Sequence, residues 1–176
     1  MQGSALAKVE DALGYFRAKP KSVGGGDEEC FPGDALLLTP GGTVLMSQLG
    51  WEGELSAWSC ANHTIKPTDK LVSYLHYSPN TIRTYIRFDC ENGKTLDASG
   101  GHLLYVLVGE EKYGFKMAKR LTSEDSLVDK YGKPQRIVAI RYVKKVGLYA
   151  PLSREGTLIV NDFVVSCYAS STHELG

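Results

Sequence analysis

Residues 81–90 alternate: Ile82, Thr84, Ile86 and Phe88 fall on one side of an extended chain, and Arg83, Tyr85 and Arg87 on the other. That period of two marks a strand with one face on a core. Further short runs that read as strands recur along most of the sequence, at 36–38, 43–46, 54–59, 71–77, 94–97, 102–108, 113–118, 137–146, 157–161 and 163–168. Turn residues punctuate them. Thr39-Pro40-Gly41-Gly42 reads as a tight hairpin connection, Glu91-Asn92-Gly93 as a turn with a left-handed position, and Arg154-Glu155-Gly156 as a further turn. The polar stretch 121–134 reads as a loop, with at most one turn at Ser126-Leu127-Val128-Asp129. Many short strands separated by glycine-containing turns predict an all-β domain, closed or strongly curved, built of antiparallel strands.

The first 29 residues break this pattern. Leu6, Val9, Leu13 and Phe16 recur at helical spacing behind Ser4, a competent helix cap, and Pro20 ends the run. Gly24-Gly25-Gly26-Asp27-Glu28-Glu29 then offers too little apolar surface to hold a fixed structure. The expected organisation is a short helical or flexible extension over 1–29 and one folded domain over 30–176, which is long enough to bury a core without disulfides. Twenty basic and twenty acidic residues cancel, so the chain lacks the basic excess of a nucleic-acid or anionic-membrane surface. The four cysteines, Cys30, Cys60, Cys90 and Cys167, are too few for a disulfide scaffold and lack the close pairs of a structural zinc site. Charges at Glu10, Asp11, Arg17, Lys19 and Lys21 interrupt the N-terminal region, so no signal peptide is expected within this sequence.

Cys30 stands at the seam. A cysteine opening a folded module has its thiol and its own backbone nitrogen on neighbouring atoms, with the preceding carbonyl in reach of both. An N-to-S acyl shift would turn the Glu29–Cys30 peptide bond into a thioester that a second nucleophile cleaves. The same cysteine also reads as a small buried hydrophobe at the start of a strand. His102, beside Leu103-Leu104, likewise reads as a structural histidine or as a proton carrier.

Three separated blocks join these residues: Cys30-Phe31-Pro32-Gly33-Asp34-Ala35, Ser99-Gly100-Gly101-His102-Leu103-Leu104, and Gly147 to Leu158 continuing through Ser166-Cys167-Tyr168-Ala169. Together they resemble the autoprocessing domain of Hedgehog proteins, the Hint domain shared with inteins. The resemblance implies the horseshoe-like Hint fold and a single-turnover self-cleavage before Cys30. In that family His102 would hydrogen-bond and protonate the nitrogen of the scissile peptide, a role suited to a side chain titrating near neutrality. Ser99 stands where the pattern has threonine and would make the same hydrogen bond with a looser rotamer. Cys167 matches a cysteine close to the nucleophile, able to exchange with it or form a disulfide; on the residues alone, it is equally core packing.

Three departures bear on the acceptor. His76 occupies the position of the aspartate that activates the sterol hydroxyl. It would serve as a general base toward water or an alcohol, or be an exposed strand histidine. The sequence stops at Gly176, before the lipid-recognition segment of sterol-using members, which implies either a shortened chain or no lipid acceptor. Glu29 replaces the family's glycine at the scissile carbonyl, and its bulk and charge would slow the shift. No cofactor is expected. A sterol or other lipid is the implied co-substrate, and zinc an inhibitor if Cys30, His76, His102 and Cys167 converge. The expected partners are the chain's own upstream segment and a small nucleophile; the expected state is a monomer. By resemblance the full-length protein belongs to the secretory route or the extracellular space. The competing readings are an intein-like splicing element, which the absence of a terminal asparagine disfavours, and a catalytically weak β-domain that serves as a binding module.

Overall fold

The structure, a computed structural model, describes residues 29–169. The helix expected between Ser4 and Phe16 lies outside them. Eleven strands follow: β1 Leu36–Thr39, β2 Gly42–Leu45, β3 Glu54–Ser59, β4 Thr64–Cys90, β5 Thr95–Ala98, β6 His102–Val108, β7 Lys112–Met117, β8 Ser126–Val128, β9 Pro134–Ser153, β10 Thr157–Val160 and β11 Phe163–Ala169. The only helical pieces among the described residues are two 3₁₀ turns, Met46–Gln48 and Ala118–Arg120. All pairings between strands are antiparallel, in the order β2-β1-β10-β11-β6-β8-β9-β4-β3, with β5 added to β4 and β7 to β6. The all-β expectation holds.

The expected runs became strands, with the bounds of β4 and β9 moved furthest, but the core face expected for 81–90 holds only at Ile86 and Phe88, since Ile82 and Thr84 are exposed and Tyr85 is fully buried. Residues 71–77 and 81–90 are parts of one 27-residue strand, because Ser78 pairs with Leu148 and Ile82 with Val146 while Pro79, Asn80 and Thr81 bulge out between them. Proline has no N–H to give the ladder, so a bulge is where it fits. β9 likewise runs past Val146 to Ser153 and takes in the Tyr149-Ala150-Pro151-Leu152 run. Residues 126–128, read as a loop, form a short strand that bridges β6 and β9.

A straight strand of 27 residues would span about 90 Å at roughly 3.3 Å per residue. A domain of this size has a radius of gyration of about 15 Å, so the β4–β9 ribbon has to bend. Register shifts after Leu71, Tyr74, Ser78 and Asp89 supply the bends. β3 pairs with the part of β4 that precedes the ribbon, Thr64 to Lys70, and β5 with its last part, Ile86 to Asp89.

Three apolar clusters share the interior, the smallest of them Cys30, Tyr85 and Leu148. Phe31, Leu37, Phe88, Leu104, Val160 and Phe163 belong to the first, and Trp58, Tyr105, Val128, Ile159 and Val164 form the second. Leu158 and Val160 enter the first and Ile159 the second, so β10 is buried on both faces, which explains why its sequence is a continuous apolar run without alternation.

Candidate active site

The segment that follows Glu29 is fixed by backbone bonds to β9. Phe31 N donates to the Tyr149 carbonyl at 2.8 Å and Tyr149 N returns a bond to the Phe31 carbonyl at 3.0 Å; Gly33 N donates to the Val146 carbonyl at 3.0 Å. Between these bonds sits Gly147, at φ +100°. A Cβ there would lie 2.9 Å from Gly33 N and 2.7 Å from the Tyr149 ring, so only glycine allows the two segments to approach. The Tyr85 hydroxyl donates to the Gly147 carbonyl and holds the same bend from β4.

Cys30 is fully buried, packed with Tyr85 and Leu148. Its peptide nitrogen, the one that joins it to Glu29, donates to Ser99 Oγ at 2.8 Å, and Ser99 N donates back to the Cys30 carbonyl at 3.1 Å. Burial alone would be the unreactive reading of this cysteine. The side-chain hydroxyl on its peptide nitrogen is what that reading does not require. Glu29 is also buried, at 5% exposure.

Ser99 opens a turn that closes with His102 N donating to the Ser99 carbonyl at 3.1 Å and leads into β6. His102 is wholly buried, with its ring 4.3 Å from that of Phe31. Its Nε2 lies 2.6 Å from the Ser166 carbonyl. A carbonyl only accepts, so Nε2 carries the hydrogen and Nδ1 the lone pair. Nδ1 is buried and has no hydrogen-bond partner. The expected titration near neutrality does not hold: burial pushes the imidazole down to about 4, with the Ser166 carbonyl pulling weakly the other way. His102 is therefore neutral at pH 7 and offers a bare acceptor.

Cys167 is buried on β11, one residue past Ser166. Its sulfur accepts from Ser153 N at 3.4 Å and lies 3.5 Å from Ser153 Oγ. Cys30 and Cys167 belong to different packing clusters, and no disulfide joins any of the four cysteines. His76 is half-buried on β4, opposite Ala150. Tyr149 is the register partner of both Tyr77 and Phe31. Opposed residues share a face and successive ones alternate, so His76 and Cys30 both lie on the face of β9 that bears Leu148 and Ala150. Among the described residues no three Cys, His, Asp or Glu side chains gather into a metal site.

One group near the site went unread in the sequence. Arg87 clasps the Asp97 carboxylate with two bonds, Nε at 2.7 Å and Nη2 at 2.8 Å; Lys145 Nζ lies 2.9 Å from Asp97 and 2.5 Å from Asp34. Burial would raise the Asp97 pKa, but the hydrogen bonds from Arg87 and Lys145 outweigh it and hold the carboxylate below its usual range. Charged residues tens of positions apart carry no pairing signal in a single sequence.

A family model described as the Hint module matches residues 18–175. The chain belongs to the Hint family. Among curated relatives, it is 27% identical to Warthog protein 1 of Caenorhabditis elegans over 94% of the chain and 33% of that protein, and 26% identical to Protein hedgehog of Drosophila melanogaster over 75% of the chain and 31% of that protein. This Hint domain thus spans about a third of the length of either relative. Among solved structures, it superposes on a DnaB intein from Synechocystis with a TM-score of 0.67 at 17% identity, covering 81% of the chain and 99% of the intein. A bacterial intein-like domain from Clostridium thermocellum gives 0.65 at 16% identity, covering 80% of the chain and 99% of that domain. These neighbours establish the fold as the all-β Hint fold.

Proposed function

We propose that this Hint domain cleaves its own chain between Glu29 and Cys30 through a thioester on Cys30. The observation that carries the reading is the bond from the Cys30 peptide nitrogen to Ser99 Oγ, beside a buried histidine with an unused lone pair. A purely structural site gains nothing from a buried acceptor left unmatched, which costs about 1–3 kcal/mol.

His102 Nδ1 takes the proton of the Cys30 thiol, and the sulfur attacks the Glu29 carbonyl carbon. As the C–N bond breaks, the imidazolium returns that proton to the departing nitrogen, which Ser99 keeps in line. The S–H and C–N bonds are lost, and a C–S bond and an N–H bond are formed. A neutral imidazole suits this order, because it accepts first and donates second. A second nucleophile then cleaves the thioester and releases the segment that ends at Glu29. Water, a small thiol, or the hydroxyl of a sterol or other lipid serves as acceptor, with His76 as its base on the Cys30 side of the ribbon. No cofactor enters, and each chain acts once. The full-length protein, by its hedgehog and warthog relatives, works in the secretory route or outside the cell.

Incubation of the purified chain with excess dithiothreitol at neutral pH tests the assignment. Cleavage before Cys30 is expected in the wild type and is expected to vanish in Cys30→Ala and His102→Ala. Undiminished cleavage in Cys30→Ala ends the reading.

A further inference from the structure

We infer that the charged cluster of Arg87, Asp97, Lys145 and Asp34 positions the cleavage site, holding Ser99 on the peptide nitrogen of Cys30. The inference rests on the cleavage reading above and names the residues that maintain its geometry.

Ser99 lies just past the end of β5, so the last rungs of that strand, Arg87↔Asp97 and Ile86↔Ala98, determine where its hydroxyl stands. Asp97 and Ser99 are two residues apart, and so project to the same side. Arg87 fixes Asp97 from the neighbouring strand with two parallel bonds, a geometry that sets orientation as well as distance. Lys145 reaches the same carboxylate from β9 and spans to Asp34, four residues after Cys30. One ammonium thus ties the strand that delivers Ser99 to the segment that delivers Cys30, and the two meet at the 2.8 Å bond between Cys30 N and Ser99 Oγ.

Exposure separates the two arms. The Asp97 side chain is 4% exposed and that of Asp34 57%. The Asp34 arm, largely in water, is the weak one. The Asp97 arm is desolvated. Buried ion pairs often stabilise no more than hydrophobic replacements of similar volume, so the role assigned to this arm is alignment. Lys145 and Arg87 are positioning residues, since both act through Asp97 and Ser99.

The test compares wild type, Lys145→Met, Lys145→Arg and Asp34→Asn with two readouts: the rate of dithiothreitol-induced cleavage, and hydrogen exchange of the Cys30 and Leu104 amides in the uncleaved chain. In Lys145→Met cleavage is expected to slow on the order of tenfold, since small misplacements are costly in a preorganised site. The Cys30 amide is expected to exchange faster by a similar factor while Leu104, central in β6, keeps its protection. Lys145→Arg is expected to restore most of the rate, and Asp34→Asn to lose about threefold, in line with its exposed arm. Wild-type cleavage and wild-type Cys30 protection in Lys145→Met overturn the inference; so does an equal rise at Cys30 and Leu104, which marks a general stabiliser. If Lys145→Met does not fold, Asp34→Asn decides: wild-type rate and protection there also overturn it. If the wild-type chain resists thiol altogether, the cleavage reading falls, and the exchange comparison still decides what the cluster holds.

Discussion

Lowering the pH places a proton where the fold has no room for charge. In the unfolded chain His102 takes its proton at about pH 6.5; folded, it does so only at about 4, because burial disfavours the imidazolium. Between these values the unfolded state binds more protons, so stability rises with pH through the window. The contribution is fully present above about pH 6.5 and lost as the pH falls toward 4. At 1.36 kcal/mol per pH unit the whole window is worth about 3 kcal/mol, most of it gone by pH 4.5. Urea denaturation of the uncleaved chain at pH 7 and pH 4.5 measures the loss. His102→Gln keeps an N–H for the Ser166 carbonyl and cannot titrate, so the loss between the two pH values is expected to shrink by about 2 kcal/mol or more. Identical pH dependence in the wild type and His102→Gln would refute a buried, neutral His102, and with it the order of proton transfers proposed above.

Other perturbations probe the same site. Ser99→Ala leaves the Cys30 peptide N–H buried without its acceptor; we expect a loss of about 1–3 kcal/mol in urea denaturation, together with slower thiol-induced cleavage. Gly147→Ala forces a side chain into φ +100° against Gly33 and Tyr149. Thermal denaturation should show a loss of about 1–3 kcal/mol, and an unchanged midpoint would mean that this close approach is not rigid. His76→Ala is expected to leave dithiothreitol-induced cleavage intact and to slow release by the natural acceptor, assayed with water alone and with sterol-containing micelles. Loss of thiol-induced cleavage would instead place His76 in the first step.

Short apolar runs and glycine turns made the strands legible, but the alternation of residues 81–90 gives the buried face only at Ile86 and Phe88: Ile82 is exposed, and Tyr85, on the other side, is buried against Cys30 and Leu148. The long ribbon was harder to read. Pro79 and Asn80 look like a break between two strands, and only pairing with β9 shows that Ser78 and Ile82 continue one ladder around a bulge. Ser126–Val128 carries three residues of pattern, too few for a period to register. At the site, Cys30, Ser99 and His102 were legible from their blocks, and the structure draws them together. What burial does to His102 was not, since a sequence gives a residue type and not its dielectric surroundings. The reach of Lys145 from β9 to Asp97 on β5 and to Asp34 depends on the folded ribbon, and no local pattern announces it.

A thioester at Cys30 is tested most directly by the intact mass of the purified chain before and after neutral hydroxylamine. Two products are expected: residues 30–176 with Cys30 as a free N-terminus, and residues 1–29 carrying a hydroxamate on the Glu29 carbonyl. A single unchanged mass, from a protein whose near-UV circular dichroism confirms a packed fold, would contradict it.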